Sequence, residues 1–252
     1  MTLSWLAVRP LQTFFGTAPQ PCPYLPGRVE SKVVTELAGP NAQALHDGLV
    51  QAGFRRSHGL AYRPACRGCD ACVPVRVPVS LFQPNRAQRR VWRRAQDWRV
   101  HERPAHATRE QFELFRRYQR SRHDGGGMAL MGSREYRAMV EETTVDTRMV
   151  EVRDAEGRLV AVSLTDWLSD GLSGIYKFFD PDLAQRSPGV YVILWHVARA
   201  RALGLPHVYL GYWIAGCGKM TYKAGYRPLE ALGPTGWAPL TEEARRAAET
   251  AA

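Results

Sequence analysis

Apolar and polar residues alternate without a break in Val73-Pro-Val-Arg-Val-Pro-Val79, which puts the four valines on one face and Arg76 on the other and predicts a strand. Pro74 and Pro78 lack an N–H, which places the expected strand at a sheet edge. From Val160 to Leu168 and again from Ser173 to Phe179 the chain is apolar and aromatic, and a tight Ser169-Asp170-Gly171 turn between the runs predicts an antiparallel hairpin. A run with helical spacing begins at Arg186-Ser-Pro-Gly189 and closes at Gly204, and Val208 to Ile214 reads as a further strand. The predicted order in this stretch is strand, strand, helix, strand.

Around this unit, Leu45 and Leu49 lie four apart between Asn41 and Gly53 and predict a helix, and Phe54 to Pro64 reads as a hairpin. Thr108 and Gln111 form a capping box that opens a helix carrying Phe112, Phe115 and Tyr118, a stripe that reads as core. A helix near 133–142, a strand at Met149–Arg153 and a short tail helix after Pro239 complete the outline. His123, in Ser-Arg-His-Asp-Gly-Gly-Gly, reads as a loop or capping histidine, and the glycines lack the Lys and Ser/Thr of a phosphate-binding P-loop. Residues 1–21 are interrupted by proline and read as an extended arm. No segment reaches the length of a membrane span, and Met1 to Val8 lacks the pattern of a secretory signal, so a cytoplasmic protein is expected.

Charge changes the picture. Lys+Arg number 34 against 24 Asp+Glu, a net +10, which favours an anionic partner such as nucleic acid. Much of it is concentrated in one predicted helix capped by Asn85. Arg86, Arg89, Arg90, Arg93 and Arg94 recur at offsets of three and four and share one stripe, with Ala87, Val91, Ala95 and Trp98 on another. Like charges so spaced repel one another, so a phosphate backbone accounts for the stripe better than solvent does. The free N–H groups at the start of the Pro188 helix, with Arg186 beside them, offer a second place for an anion.

Five cysteines, an odd number, argue against a disulfide framework. Cys66, Cys69 and Cys72 stand at two-residue intervals, Gly68 lets the backbone turn, and Cys22 supplies a possible fourth ligand for zinc or an iron–sulfur cluster; the competing reading is reduced thiols in a tight loop. Cys217 has no evident base beside it and is not read as a nucleophile.

Strand, strand, helix and strand with the Arg-Ser-Pro-Gly turn resemble the catalytic half of the GNAT acyltransferase fold. The expected class is α/β (α+β), with a smaller cysteine-bearing domain over residues 1–103 and the GNAT-like catalytic domain over 104–252. Tyr191 stands where acetyl-CoA-using members carry a small residue, which disfavours CoA as donor. Cys-Pro-Tyr-Leu-Pro at Cys22, the Cys66–Val77 run, Asn-Arg-Ala-Gln-Arg-Arg at Asn85, Asp180-Pro with Arg186-Ser-Pro-Gly189, Tyr209-Leu-Gly-Tyr-Trp-Ile214, and the run from Lys219 to Glu230 together resemble the bacterial aspartate/glutamate leucyltransferases, relatives of the arginyl-tRNA–protein transferases. That resemblance implies transfer of leucine from charged tRNA to a protein's N-terminal Asp or Glu, marking the protein for degradation, with no cofactor required. In eukaryotic relatives an N-terminal cysteine set holds an iron–sulfur cluster.

For such a reaction the candidate groups are Asp166 as proton acceptor, Tyr212 or Tyr222 as donor to the leaving ribose oxygen, and Lys219 or Lys223 as charge stabiliser, Lys223 serving alternatively to bind substrate. Arg76, opposite the valines, is the first choice for the acceptor's carboxylate and Arg186 the next. Rival readings are an arginyltransferase, a CoA-dependent N-acetyltransferase and a non-catalytic RNA-binding module.

Overall fold

The computed structural model describes residues 12–122 and 126–250, with side chains to residue 246, so His123 lies outside the described residues. In chain order the strands are β1 (Phe15–Gly16), β2 (Gln20–Pro21), β3 (Val29–Glu30), β4 (Lys32–Glu36), β5 (Arg55–Ser57), β6 (Leu60–Pro64), β7 (Val73–Pro78), β8 (Arg99–Pro104), β9 (Thr147–Arg153), β10 (Leu159–Leu168), β11 (Gly171–Phe179), β12 (His207–Trp213), β13 (Glu230–Gly233) and β14 (Gly236–Pro239). The helices are α1 (Ala42–Gln51), α2 (Arg86–Arg94), α3 (Arg109–Arg122), α4 (Ser133–Glu141), α5 (Pro188–Ala202) and α6 (Glu242–Thr250).

Eight strands make one mixed sheet in the order β14-β13-β7-β12-β11-β10-β9-β8, and β1-β4-β6-β5 make a smaller one. The predicted hairpin is β10–β11, and α5 carries the chain over to β12, which runs parallel to β11 as a crossover connection requires. β10 is buried along its whole length because both faces of the sheet are covered. On one face α3 and α4 bring Leu114, Phe115, Tyr136 and Val140 against Met149, Val162, Leu164 and Phe178. On the other, Ile193, Leu194 and Val197 of α5 pack over Val75, Leu172 and Val208.

α1 and the small sheet share their own core of Leu37, Leu49 and Ala61, and polar bolts fix them to the large sheet. Arg56 of β5 is 2% exposed and grips Asp166 of β10 with two bonds of 2.8 and 2.7 Å, while His46 of α1 lies 2.9 Å from the same carboxylate. The Tyr212 hydroxyl donates to the Gly53 carbonyl at 3.0 Å.

β7 lies inside the sheet, between β13 and β12, and not at its edge. Its prolines are tolerated because β13 pairs only with Val75 and Arg76, leaving Pro74 and Pro78 outside that ladder. Pro104, the expected domain boundary, ends β8 of this same sheet, so the sheet draws strands from both sides of that boundary. Helix starts follow the sequence closely. Asn85 and Gln88 cap α2 reciprocally, and Thr108 and Gln111 do the same at α3.

Candidate acyl-transfer cleft

The Arg helix, the start of α5 and the 3-10 turn Thr221–Gly225 enclose a cleft of about 310 Å³. Arg90 and Arg94, one turn apart on α2, line one wall; Arg186 and Ser187 line the next, and Tyr222 the third. Ser187 adopts a left-handed conformation, φ 55°, with no side-chain cap on α5, so the positive end of the helix dipole is directed at the cleft. All five stripe arginines are exposed, and none forms an ion pair among the described residues. Val91, Ala95 and Trp98 pack into the core as expected, and Gln88 is buried and donates to the Gly225 carbonyl at 3.1 Å, while Ala87, expected on the apolar side, is exposed and lines the cleft.

Behind Tyr222 the sheet opens. β11 and β12 pair only from Gly171 to Ser173, and beyond that point they part. The register of β10 against β11 shifts there as well, passing from Tyr176 to Gly174, so Ile175 forms a bulge. Arg55 fills the gap, donating from Nη2 to the carbonyls of Gly174 at 2.9 Å and Ile175 at 3.1 Å. Its guanidinium lies against Gly211, φ 74°, where an added Cβ would stand 2.5 Å from Arg55 Nη1. Lys177 Nζ reaches across to the Tyr222 hydroxyl at 3.3 Å and sits 4.8 Å over its ring.

The family model described as arginine-tRNA-protein transferase, C terminus, matches residues 110–233, and its N-terminus counterpart matches residues 20–90. An aspartate/glutamate leucyltransferase from Paramagnetospirillum magneticum is 56% identical over 224 residues, 89% of this chain and 92% of the relative. One from Gluconacetobacter diazotrophicus is 53% identical over 241 residues, 96% of this chain and 93% of its own. The chain belongs to the aspartate/glutamate leucyltransferases. Among solved structures, L-PGS from Bacillus licheniformis matches with a TM-score of 0.47 at 12% identity, covering 82% of this chain and 65% of that one.

Of the residues expected in this leucyltransferase site, Tyr222 and Arg186 line the cleft together with Arg90 and Arg94. Asp166 does not. It is fully buried, and although burial alone would raise its carboxyl, the bonds from His46 and Arg56 outweigh that and hold it down at about 2, so it accepts no proton at neutral pH. Tyr212 is likewise structural: burial pushes its hydroxyl far above the ordinary range, and it holds the Gly53 turn. Lys219 is exposed in the turn after β12 and does not line the cleft. Lys223 is 6% exposed beneath Tyr222, its ammonium donating to the Tyr212 carbonyl, so it does not reach the cleft surface.

Arg76 cannot offer a free fork to an incoming carboxylate. Glu230 already takes its Nε at 2.7 Å, and its guanidinium stacks 4.3 Å from the Trp237 ring. Arg186 has an internal partner too, Asp97, at 3.1 Å, and lies over Trp98. Lys177 and Arg55, which stand where β11 and β12 part, were not among the candidates expected from the sequence. A charge inside the aromatic run Ile175-Tyr-Lys-Phe-Phe179 was the available signal for the first; nothing local marks the second.

The four N-terminal thiols share a neighbourhood: burial, then Cys22, Cys66 and Cys69, push the Cys72 thiol up to about 12. Two of the sulfurs make weak hydrogen bonds, Cys66 Sγ donating to the Ser31 carbonyl at 3.6 Å and Cys22 Sγ accepting from the Leu25 amide at 3.4 Å. Among the described residues no group of three His, Cys, Asp or Glu is arranged to hold a metal ion.

Proposed function

We propose that the protein transfers leucine from Leu-tRNA to the α-amine of proteins that begin with Asp or Glu, on a GNAT-type scaffold, marking them for degradation. The observation that carries the reading is the cleft: it is walled by two arginines without an ion pair among the described residues, Arg90 and Arg94, and by a helix N-terminus, Tyr222 lines it, and none of its lining residues is acidic. The order β10, β11, α5, β12, with a bulge in β11 and its separation from β12, supports the scaffold.

The exposed stripe, Arg86, Arg89, Arg90, Arg93 and Arg94, neutralises phosphates of the acceptor stem, and the terminal ribose with its ester enters between α2 and α5. An aminoacyl ester is already activated, so the acceptor amine attacks the carbonyl carbon directly. The C–N bond forms, the bond from carbonyl carbon to ribose oxygen breaks, and the ribose oxygen leaves as a hydroxyl. An α-amine with a pKa of about 7.7–8.0 has a useful neutral fraction at neutral pH, so water suffices to take its proton, Asp166 being buried away from the cleft. Tyr222, half-exposed in the wall and held by Lys177, is the donor to the ribose oxygen.

The test is incubation with separately charged Leu-tRNA and Arg-tRNA and with peptides beginning Asp, Glu or Ala. Leucylated Asp and Glu peptides are expected. Arginylated product alone would move the protein to the arginyl branch of the family, and acetylation from acetyl-CoA with no product from either tRNA would overturn the reading.

A further inference from the structure

The reaction just proposed joins two anionic substrates, and the inference here rests on that reading. Each substrate needs cations that the protein's own acids have not neutralised. The α2 stripe is one such set, on the outer wall. A second lies inward, where β11 and β12 part. Among the described residues Lys177 hydrogen-bonds only the Tyr222 hydroxyl, Lys223 only the Tyr212 carbonyl, and Arg55 only the Gly174 and Ile175 carbonyls, its Nη1 buried without a hydrogen-bond partner. None of the three has a carboxylate partner among the described residues, whereas Arg76 and Arg186 both do.

We propose that Lys177 binds the side-chain carboxylate of the acceptor's N-terminal Asp or Glu, with Arg55 maintaining the positive field behind it. Four observations meet here. Lys177 is half-buried, so its charge is less screened than those of the α2 stripe. It shares Tyr222 with the cleft, so a carboxylate on Lys177 brings the α-amine of the same residue to the cleft's inner end, beside the ester. It also lies next to the first turn of α5, where a Cβ on Gly189 would stand 3.9 Å from Lys177 Cε. Burial, with the neighbouring Arg55 and Lys177 cations, pushes Lys223 well below the ordinary lysine range, which marks the region as one short of negative charge.

Lysine suits the task better than arginine. An acceptor pocket that takes both Asp and Glu must follow a carboxylate at two distances from the backbone, and a compact ammonium on a flexible stem does so where a rigid guanidinium fork would favour one. Tyr222 keeps the stem directed at the cleft without neutralising it. Phosphodiesters stay with the exposed α2 stripe because the inner set lies behind Tyr222 and the α5 start.

The experiment measures kcat/KM at saturating Leu-tRNA for peptides beginning Asp, Glu, Asn and Gln, with wild-type protein, K177Q and K177R, beside thermal melts and Leu-tRNA binding. K177Q is expected to lose about tenfold or more on Asp and Glu peptides, mostly through KM, from the loss of a charge-assisted bond, and little on Asn and Gln. K177R should recover part of the loss but favour Asp and Glu unequally. Leu-tRNA affinity should not change. A K177Q protein that folds and keeps the wild-type ratio of Asp to Asn overturns the assignment, as does weakened Leu-tRNA binding with that ratio intact, which would give Lys177 to the donor. If K177Q does not fold, K177R decides: efficiencies on Asp and Glu peptides unchanged from wild type refute the proposal. Wild-type protein that leucylates none of the peptides would refute the function itself, a separate outcome from any result with the variants.

Discussion

Replacing Asp166 with asparagine should unfasten the small sheet from the large one. The Asp166 carboxylate accepts two bonds from Arg56, one from Thr147 at 2.8 Å, and lies 2.9 Å from His46. Asparagine keeps the volume but removes the charge, leaving the Arg56 guanidinium, 2% exposed, without a counter-ion. Removing one partner of a buried pair costs about 3–5 kcal/mol, and that is the loss expected for D166N at pH 7 in urea unfolding. The pH dependence gives a second check. Burial raises the carboxyl, but His46 and Arg56 bring it to about 2, below the unfolded value of about 3.9. The group therefore stabilises fully above that unfolded value, and the contribution, about 2–3 kcal/mol, is lost as pH falls toward 2. The gap between wild type and D166N should narrow over the same window. A D166N protein within about 1 kcal/mol of wild type at pH 7, or a gap that does not change with acid, refutes the reasoning. Normal stability with a collapsed kcat would return Asp166 to the role of proton acceptor.

The remaining expectations concern other charges. R90A/R94A should flatten the slope of log tRNA affinity against log salt by roughly 1.5 while leaving the melt unchanged, since both side chains are exposed in the cleft wall. R76Q should lower stability by about 1–3 kcal/mol by leaving Glu230 without its partner, yet keep the Asp-to-Asn acceptor ratio. Burial, then Lys177, holds His196 near 3, below the unfolded value of about 6.5, so the unfolded chain binds one more proton in between and stability falls as pH drops through that range. Urea melts from about pH 7 down to 4 should show this slope reduced by about 1.4 kcal/mol per pH unit in H196N.

What could be read from the sequence was what neighbouring residues determine. The β10–β11 hairpin is written in two apolar runs and a polar turn, and the start of α2 in an asparagine three residues before a glutamine. Ion pairs are different, because their partners lie far apart in the chain. Arg76 looked free on an alternating strand, but Glu230, which neutralises it, is 154 residues away; Arg186 and Asp97 are 89 apart. Asp166 resembled a site residue for the same reason, since its burial depends on Arg56 from another sheet. The two prolines of β7 pointed to an edge because sequence does not reveal that a neighbouring strand will pair over only two residues. Candidate site residues were legible where the signal was a density of charge, as in α2, and illegible where it was a lack of partners, as in the proposed role of Lys177.

That lack of partners bears on how a net charge of +10 is used. Many acids hold arginines that brace the scaffold, as Glu102 holds Arg148 and Arg199, Glu110 holds Arg153, and Asp180 holds Arg117. Acids committed in this way cannot neutralise the cleft, whose lining residues include arginines but no carboxylate. Part of the surplus is therefore left on the cleft, set by where the structural pairs fall. A cleft lined by one sign of charge concentrates field and raises the on-rate of an anionic partner, an effect that salt suppresses. Introducing an acid at Gln185, a cleft residue with no assigned bond, should slow Leu-tRNA association more at low salt than at high salt and leave the fold intact. A rate that drops equally at both salt concentrations in Q185E would mean that the cleft is a contact surface and that the field lies elsewhere.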